Sequence, residues 1–228
     1  MPEQPRIAVL GPVTVVGPTG VPTAVPGALA RSFLTALVLA RGHAVTTEAL
    51  IDELWPADQP RGARAALQTL VSRLRRSLAD GVVVSTSTGY ALGCAPDDVD
   101  LVRAERVAGD DADPERVRAV LDLWRGTPGA DVDGALGEAL AERAAAARRG
   151  LRRSLGTALL DAGHADEAVG VWTAEAQANP FDEVAVAGCM RALVAAGRTA
   201  EALAVFAAHR DRLADELGAD PSADLVRL

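Results

Sequence analysis

Arg61-Gly-Ala-Arg64-Ala-Ala-Leu67-Gln68-Thr-Leu70-Val71-Ser72-Arg73-Leu74-Arg75-Arg76-Ser-Leu78 is the stretch on which the reading of this chain turns. Taken as a helix at about 100° per residue, it gathers Ala63, Leu67, Leu70, Val71, Leu74 and Leu78 on one stripe. Arg61, Arg64, Gln68, Ser72, Arg75 and Arg76 fall on the neighbouring stripe, and Arg73 lies roughly opposite Arg64. One side is built to pack and the other offers hydrogen-bond donors over about four turns. A guanidinium can clamp a phosphate or read guanine bidentately, and a glutamine amide can read adenine in the same way. The same stripe on an isolated helix would equally be a solvated basic face, so its neighbours decide.

On the C-terminal side, Val82–Val84, a small polar turn Ser85–Gly89 and Tyr90–Leu92 read as a β-hairpin. On the N-terminal side, Thr46-Thr47-Glu48 opens a short helix that either threonine can cap, with Ala49, Leu50 and Leu54 facing a core and Trp55-Pro56 closing it. Residues 28–41 form another helix, with Leu29, Phe33, Leu34, Leu37 and Val38 on one face, stopped by Gly42. Before it come short strands at Ile7–Leu10, Val13–Val16 and Val21–Val25, with a turn at Gly17-Pro18-Thr19-Gly20. Strands, three helices and a hairpin make an α+β winged helix, whose third helix enters the major groove of DNA. The expected contacts are Arg61, Arg64, Gln68, Ser72, Arg75 and Arg76 at groove and backbone. Ser85, Thr86, Ser87 and Thr88 of the wing would reach adjacent phosphate or the minor groove, with Tyr90 as a brace.

Pro96-Asp97-Asp98 marks a boundary, giving domains at residues 1–95 and 96–228. The second is all helix, broken near Gly109–Pro114, Gly126–Gly137, Gly163, Asn179-Pro180, Gly197 and Gly218–Pro221. Leu159–Trp172 aligns without gaps to Leu193–Phe206, an offset of 34 residues and the period of tetratricopeptide repeats. Leu159/Leu193, Ala162/Ala196, Gly163/Gly197, Glu167/Glu201, Ala168/Ala202 and Val171/Val205 are identical, and Trp172 and Phe206 are expected to fill equivalent holes between helices. The fold class is thus a winged helix followed by an all-α tetratricopeptide-like domain.

Composition narrows the function. Every one of the 23 basic residues is arginine, so neither a phosphate-loop lysine nor a Schiff-base lysine exists. The net charge of −8 is divided unequally, +2 over residues 1–95 and −10 over the rest, which makes the first part the candidate for phosphate contact. Cys94 and Cys189 read as reduced thiols, and His43, His164 and His209 have no metal-ligand spacing. Trp55, Trp124 and Trp172 read as core. Asp131 and Asp133 sit in a glycine-rich loop without a partner base, and Arg148, Arg149, Arg152 and Arg153 read as a solvated face. No cofactor and no enzymatic activity are expected. No apolar run spans a bilayer, no signal peptide is visible at Met1–Arg6, and no receiver domain fits before residue 6, so a cytoplasmic protein without membrane contact is expected.

At this point the chain resembles the Streptomyces antibiotic regulatory protein family. Ala66–Leu78 looks like the recognition helix of its OmpR-type winged helix, followed in kind by Leu54-Trp55-Pro56 after the second helix and Gly89-Tyr90-Ala91-Leu92 in the wing. Leu123-Trp124-Arg125-Gly126, Gly197–Leu203 and Leu213–Pro221 resemble motifs of the family's bacterial transcriptional activator domain. The resemblance implies binding to direct repeats in double-stranded promoter DNA, recruitment of RNA polymerase and activation of an antibiotic-type biosynthetic cluster. The helical half would mediate self-association, including a homodimer on DNA, or polymerase contact. The alternative is a protein-interaction scaffold whose winged helix has lost its affinity for DNA.

Overall fold

The structure is a computed structural model that describes residues 5–17, 19–109 and 113–228. Met1–Gln4, Pro18 of the expected first turn and residues 110–112 of the expected break at Gly109–Pro114 lie outside the described residues. Packing divides the chain into two compact units, Met1–Arg106 with Ala119–Ala147, and Val107–Arg118 with Arg148–Leu228.

The first unit opens with a three-stranded antiparallel meander, β1 (Ile7–Ala8), β2 (Thr14–Val16) and β3 (Pro22–Ala24), in the order β1-β2-β3. The expected strands are all present but shorter. Three helices follow: α1 (Ala28–Leu39), α2 (Thr47–Leu54) and α3 (Ala63–Arg75). Thr46 is the residue that caps α2, its hydroxyl accepting the Ala49 N–H at 3.1 Å. The buried faces are Phe33, Leu34, Leu37 and Val38 of α1, Leu50, Ile51 and Leu54 of α2, and Leu67, Val71 and Leu74 of α3. Leu29 and Ala49, expected in this core, are exposed, because each sits in the first turn of its helix, outside the three-helix contact.

The second sheet has the order β4-β6-β5, built from β4 (Val45–Thr46), β5 (Val83–Ser85) and β6 (Gly89–Leu92). β4 was not expected from the sequence, because it has two residues and no pattern of its own. Its partner explains Gly89: a Cβ there would stand 2.0 Å from the Val45 carbonyl oxygen.

Packing does not part the chain at Pro96. Asp100, at the start of α4 (Asp100–Gly109), is fully buried. Its carboxylate accepts the N–H groups of Val9 at 2.8 and 2.9 Å, Leu10 at 3.0 Å and Leu101 at 2.8 Å. Burial pushes it up to about 6, against the pull of those N–H groups and of the Arg125 guanidinium 3.7 Å away. The motif Leu123–Gly126 lies along the same edge: Arg125 N–H donates to Leu10 O at 2.8 Å, and its guanidinium to Thr14 Oγ1 at 3.0 Å. Asp131 is structural as well, accepting the Val13 N–H at 3.0 Å and pairing with Arg31 at 3.4 Å. The first part of α6 (Gly134–Asp161), residues 134–147, completes this unit, where Arg143 holds Glu105 at 2.7 Å and the Leu39 carbonyl at 3.1 Å.

Every regular element among the described residues of the second unit is a helix: the end of α4 from residue 107, α5 (Pro114–Leu121, from which it takes residues up to 118), the remainder of α6, α7 (Ala165–Ala178), α8 (Glu183–Ala195), α9 (Thr199–Leu217) and α10 (Ala223–Val226). The 34-residue repeat is visible as repeated geometry. Gly163 has φ 79° and donates to Leu160 O at 3.0 Å, while His164 donates to Leu159 O at 2.8 Å. Gly197 has φ 75° and donates to Val194 O at 3.0 Å, while Arg198 donates to Leu193 O at 2.8 Å. Both turns are the same left-handed helix end, which favours glycine.

Trp172 is buried between Gly156 of α6 and Gly188 of α8; a Cβ at either glycine would come within 2.4 Å of its indole. Phe206, its repeat equivalent, is only half-buried, although α9 packs on α8. Trp55 and Trp124 are also half-buried rather than core. The arginine run on α6 is not simply solvated. Arg152 lies 3.4 Å from the fully buried Glu175, and Arg153 pairs with Asp182. Cys94 is half-buried and Cys189 buried, both as free thiols, and burial pushes the Cys94 thiol up. Among the described residues no helix is long and apolar enough to cross a membrane.

Candidate nucleic-acid interface

α3 starts from Gly62, which is left-handed at φ 90°, so Arg61 stands in the turn before the helix. Leu67, Val71, Leu74 and Leu78 are buried while Ala63 and Leu70 are half-buried, which fixes the packed stripe. Arg61, Arg64, Gln68, Ser72, Arg75 and Arg76 are all exposed, as are Thr69 and Arg73. The exposed arc is therefore wider than the stripe read from the sequence.

Exposure does not make these side chains equivalent. Arg64 forms an ion pair with Glu48 of α2. Arg75, the last residue of α3, turns back on the hairpin: its Nε donates to Val83 O at 3.0 Å and a terminal nitrogen to Ser85 Oγ at 2.9 Å. Its guanidinium carbon lies 6.0 Å from the Tyr90 ring centre. The side chains of Arg61, Gln68, Ser72, Arg73 and Arg76 make no hydrogen bond or ion pair with any other described residue. The donors left available thus lie at the start, middle and end of α3.

The wing runs from Ser85 to Gly89, and Ser85, Thr86, Ser87 and Thr88 are all exposed. Thr86 N–H donates to Gly89 O at 2.9 Å, and Gly89 N–H to Thr86 Oγ1 at 3.0 Å, which closes the turn on itself. Thr88 O accepts the Thr47 N–H at 3.0 Å, tying the wing to the start of α2. Tyr90 meets Phe33 of α1 edge-on, with ring centres 5.7 Å apart and planes at 76°. The internal partners of Arg64 and Arg75 were not legible in the sequence, since each depends on where another element places a carboxylate or carbonyl. Among the described residues no group of three or more His, Cys, Asp or Glu side chains could hold a metal ion.

The span from α1 to β6 coincides with a match to the family of transcriptional regulatory protein C-terminal domains, over residues 28–92. A second match, to the bacterial transcriptional activator domain, covers residues 97–228.

The chain belongs to the Streptomyces antibiotic regulatory protein family.

Among members of this family, regulatory protein DnrI of Streptomyces peucetius is 30% identical over 87% of this chain and 81% of its own length. Regulatory protein AfsR of Streptomyces coelicolor is 40% identical over 98% of this chain; the chain spans 24% of that protein. A solved structure of Mycobacterium tuberculosis EmbR, in complex with a low-affinity phosphopeptide, superposes with a TM-score of 0.83 at 25% identity. It covers 97% of this chain and 63% of EmbR, so the winged helix and the helical repeats have a solved counterpart.

Proposed function

We propose that the chain is a sequence-specific, DNA-binding transcriptional activator of a biosynthetic gene cluster, cytoplasmic and without catalytic activity. Residues 1–95 carry the contact with double-stranded DNA at promoter direct repeats. Residues 96–228 carry self-association, including a homodimer on DNA, and contact with RNA polymerase. The observation that carries this reading is α3: one stripe buried in a three-helix core, the other presenting Arg61, Gln68, Ser72 and Arg76 without internal partners, beside a wing of exposed hydroxyls. Arginines there neutralise phosphates or read guanine, Gln68 reads a base edge, and Ser85–Thr88 offer hydroxyls and backbone N–H groups to the neighbouring backbone. Arg64 reaches DNA only by leaving Glu48, an exchange that a phosphate can drive because the pair is exposed.

Selection of bound duplexes from random DNA tests the reading. A repeated motif should be enriched, and Gln68→Ala should relax preference at one base pair per half-site, at a cost of about 1–3 kcal/mol. Failure to enrich any motif, together with no salt-dependent binding, would leave the helical half as a protein-interaction scaffold and overturn the proposal.

A further inference from the structure

We infer that Arg75 is a positioning residue rather than a DNA contact: it locks the wing to the end of the recognition helix. This inference rests on the DNA-binding reading above and assigns one of its exposed arginines a different task. α3 ends at Arg75, and the chain then needs only residues 76–82 to reach β5. The connection is anchored by the buried Leu78 and Val82, and β6 pairs with β4, but neither ties β5 directly to the end of the helix. The Arg75 guanidinium does so: it spans from the helix to Val83 O and Ser85 Oγ on β5, and lies toward the face of Tyr90 on β6. Tyr90 is in turn held edge-on by Phe33, which is fully buried. Core, β6, Arg75 and β5 therefore form one continuous set of contacts. The planar fork is what allows it, since two of its N–H directions and its face are used together; an ammonium offers neither a fork nor a face.

The wing itself explains why such a lock matters. Ser85, Thr86, Ser87 and Thr88 carry no charge, so the wing cannot be drawn onto the backbone by long-range attraction. Its short-range hydrogen bonds form only if it is already placed where the third helix puts the duplex. Arg76, the next residue, is exposed with no partner among the described residues and is the side chain free to neutralise a phosphate at this end of α3.

The test separates charge from geometry in the full-length chain. Arg75→Ala, Arg75→Lys and Arg76→Ala are compared by fluorescence anisotropy on a labelled random-sequence duplex at several salt concentrations. Hydrogen exchange is measured on each protein without DNA. Arg75→Ala and Arg75→Lys should both lose about tenfold in affinity at every salt concentration, with the salt slope unchanged. Arg76→Ala should reduce the slope by about 1. In free Arg75→Ala and Arg75→Lys, the hairpin amides of Thr86 and Gly93 should exchange faster while amides of α1 keep their protection. A slope reduced by about 1 in Arg75→Ala and restored in Arg75→Lys would make Arg75 a phosphate contact and overturn the inference. Unchanged hairpin exchange in Arg75→Ala would overturn it as well. A wild-type chain with no salt-dependent binding would instead defeat the DNA reading, and the exchange measurement would still decide whether Arg75 holds the wing.

Discussion

α3 and the second half of α6 look alike as strings: each carries clustered arginines among alanines and leucines. They differ in what faces them. Along α3 and at its two ends, Arg61, Arg73 and Arg76 meet no described carboxylate, and all three are exposed. On α6, Arg152 reaches the fully buried Glu175, whose other oxygen accepts from Asn179 Nδ2 at 2.9 Å, and Arg153 pairs with Asp182. Burial beside Arg152 also pulls Arg148 below the usual guanidinium range. The same residue type thus holds a fold together on one helix and remains available to a partner on the other. An arginine run becomes informative only once its carboxylates are located.

The contrast breaks most readily at Arg152. Arg152→Ala leaves Glu175 buried with its charge uncompensated, and chemical denaturation should show a loss of about 3–5 kcal/mol. DNA affinity of the protein that remains folded should be unchanged. A loss no larger than that of an ordinary surface substitution would mean that α6 is as free as α3.

Asp100 sharpens the contrast from the anionic side. Its carboxyl titrates near 3.8 when exposed and is pushed up to about 6 by burial in the fold. Between those values the folded chain holds more proton than the unfolded chain. The stability this group contributes is fully present below the lower value and is lost as pH rises through the upper one. Denaturation midpoints of the wild type should therefore fall with rising pH across that window relative to Asp100→Asn, by about 2–3 kcal/mol in total. A flat difference would show that the N–H groups of Val9, Leu10 and Leu101, with Arg125, fully offset the desolvation of Asp100.

The smallest effect belongs to α3. Arg76→Ala should leave stability within about 0.5 kcal/mol while reducing the salt slope of DNA binding by about 1. Arg73→Ala, on the far flank of the exposed arc from Arg64, should change neither. Equal slope losses in both variants would move the groove-facing stripe around the helix.

Much of the architecture was legible because it is periodic. The apolar spacing of α3, the threonine at the start of α2 and the glycine pair 34 residues apart each declare local geometry, and each stands where the pattern places it. β4 escaped because two residues carry no period; it is recognisable only through its contact with Gly89. The half-exposure of Trp55 and Trp124 escaped because burial depends on what covers a side chain, not on its hydrophobicity alone. The available donors of α3 were legible, but the engagement of Arg64 and Arg75 was not. Their partners lie 16 and 8 residues away on other elements, where sequence spacing says nothing about distance.

The setting of Trp172 also gives the molecule an internal optical label. Its indole is enclosed between two glycines and its ring nitrogen is buried with no hydrogen-bond partner among the described residues, whereas Trp55 and Trp124, both in the first unit, reach solvent. A shielded indole emits at shorter wavelength than a hydrated one. The blue component of tryptophan emission therefore reports on the helical repeats alone, and its decay on heating times the opening of those repeats against a red component that belongs to the winged-helix side.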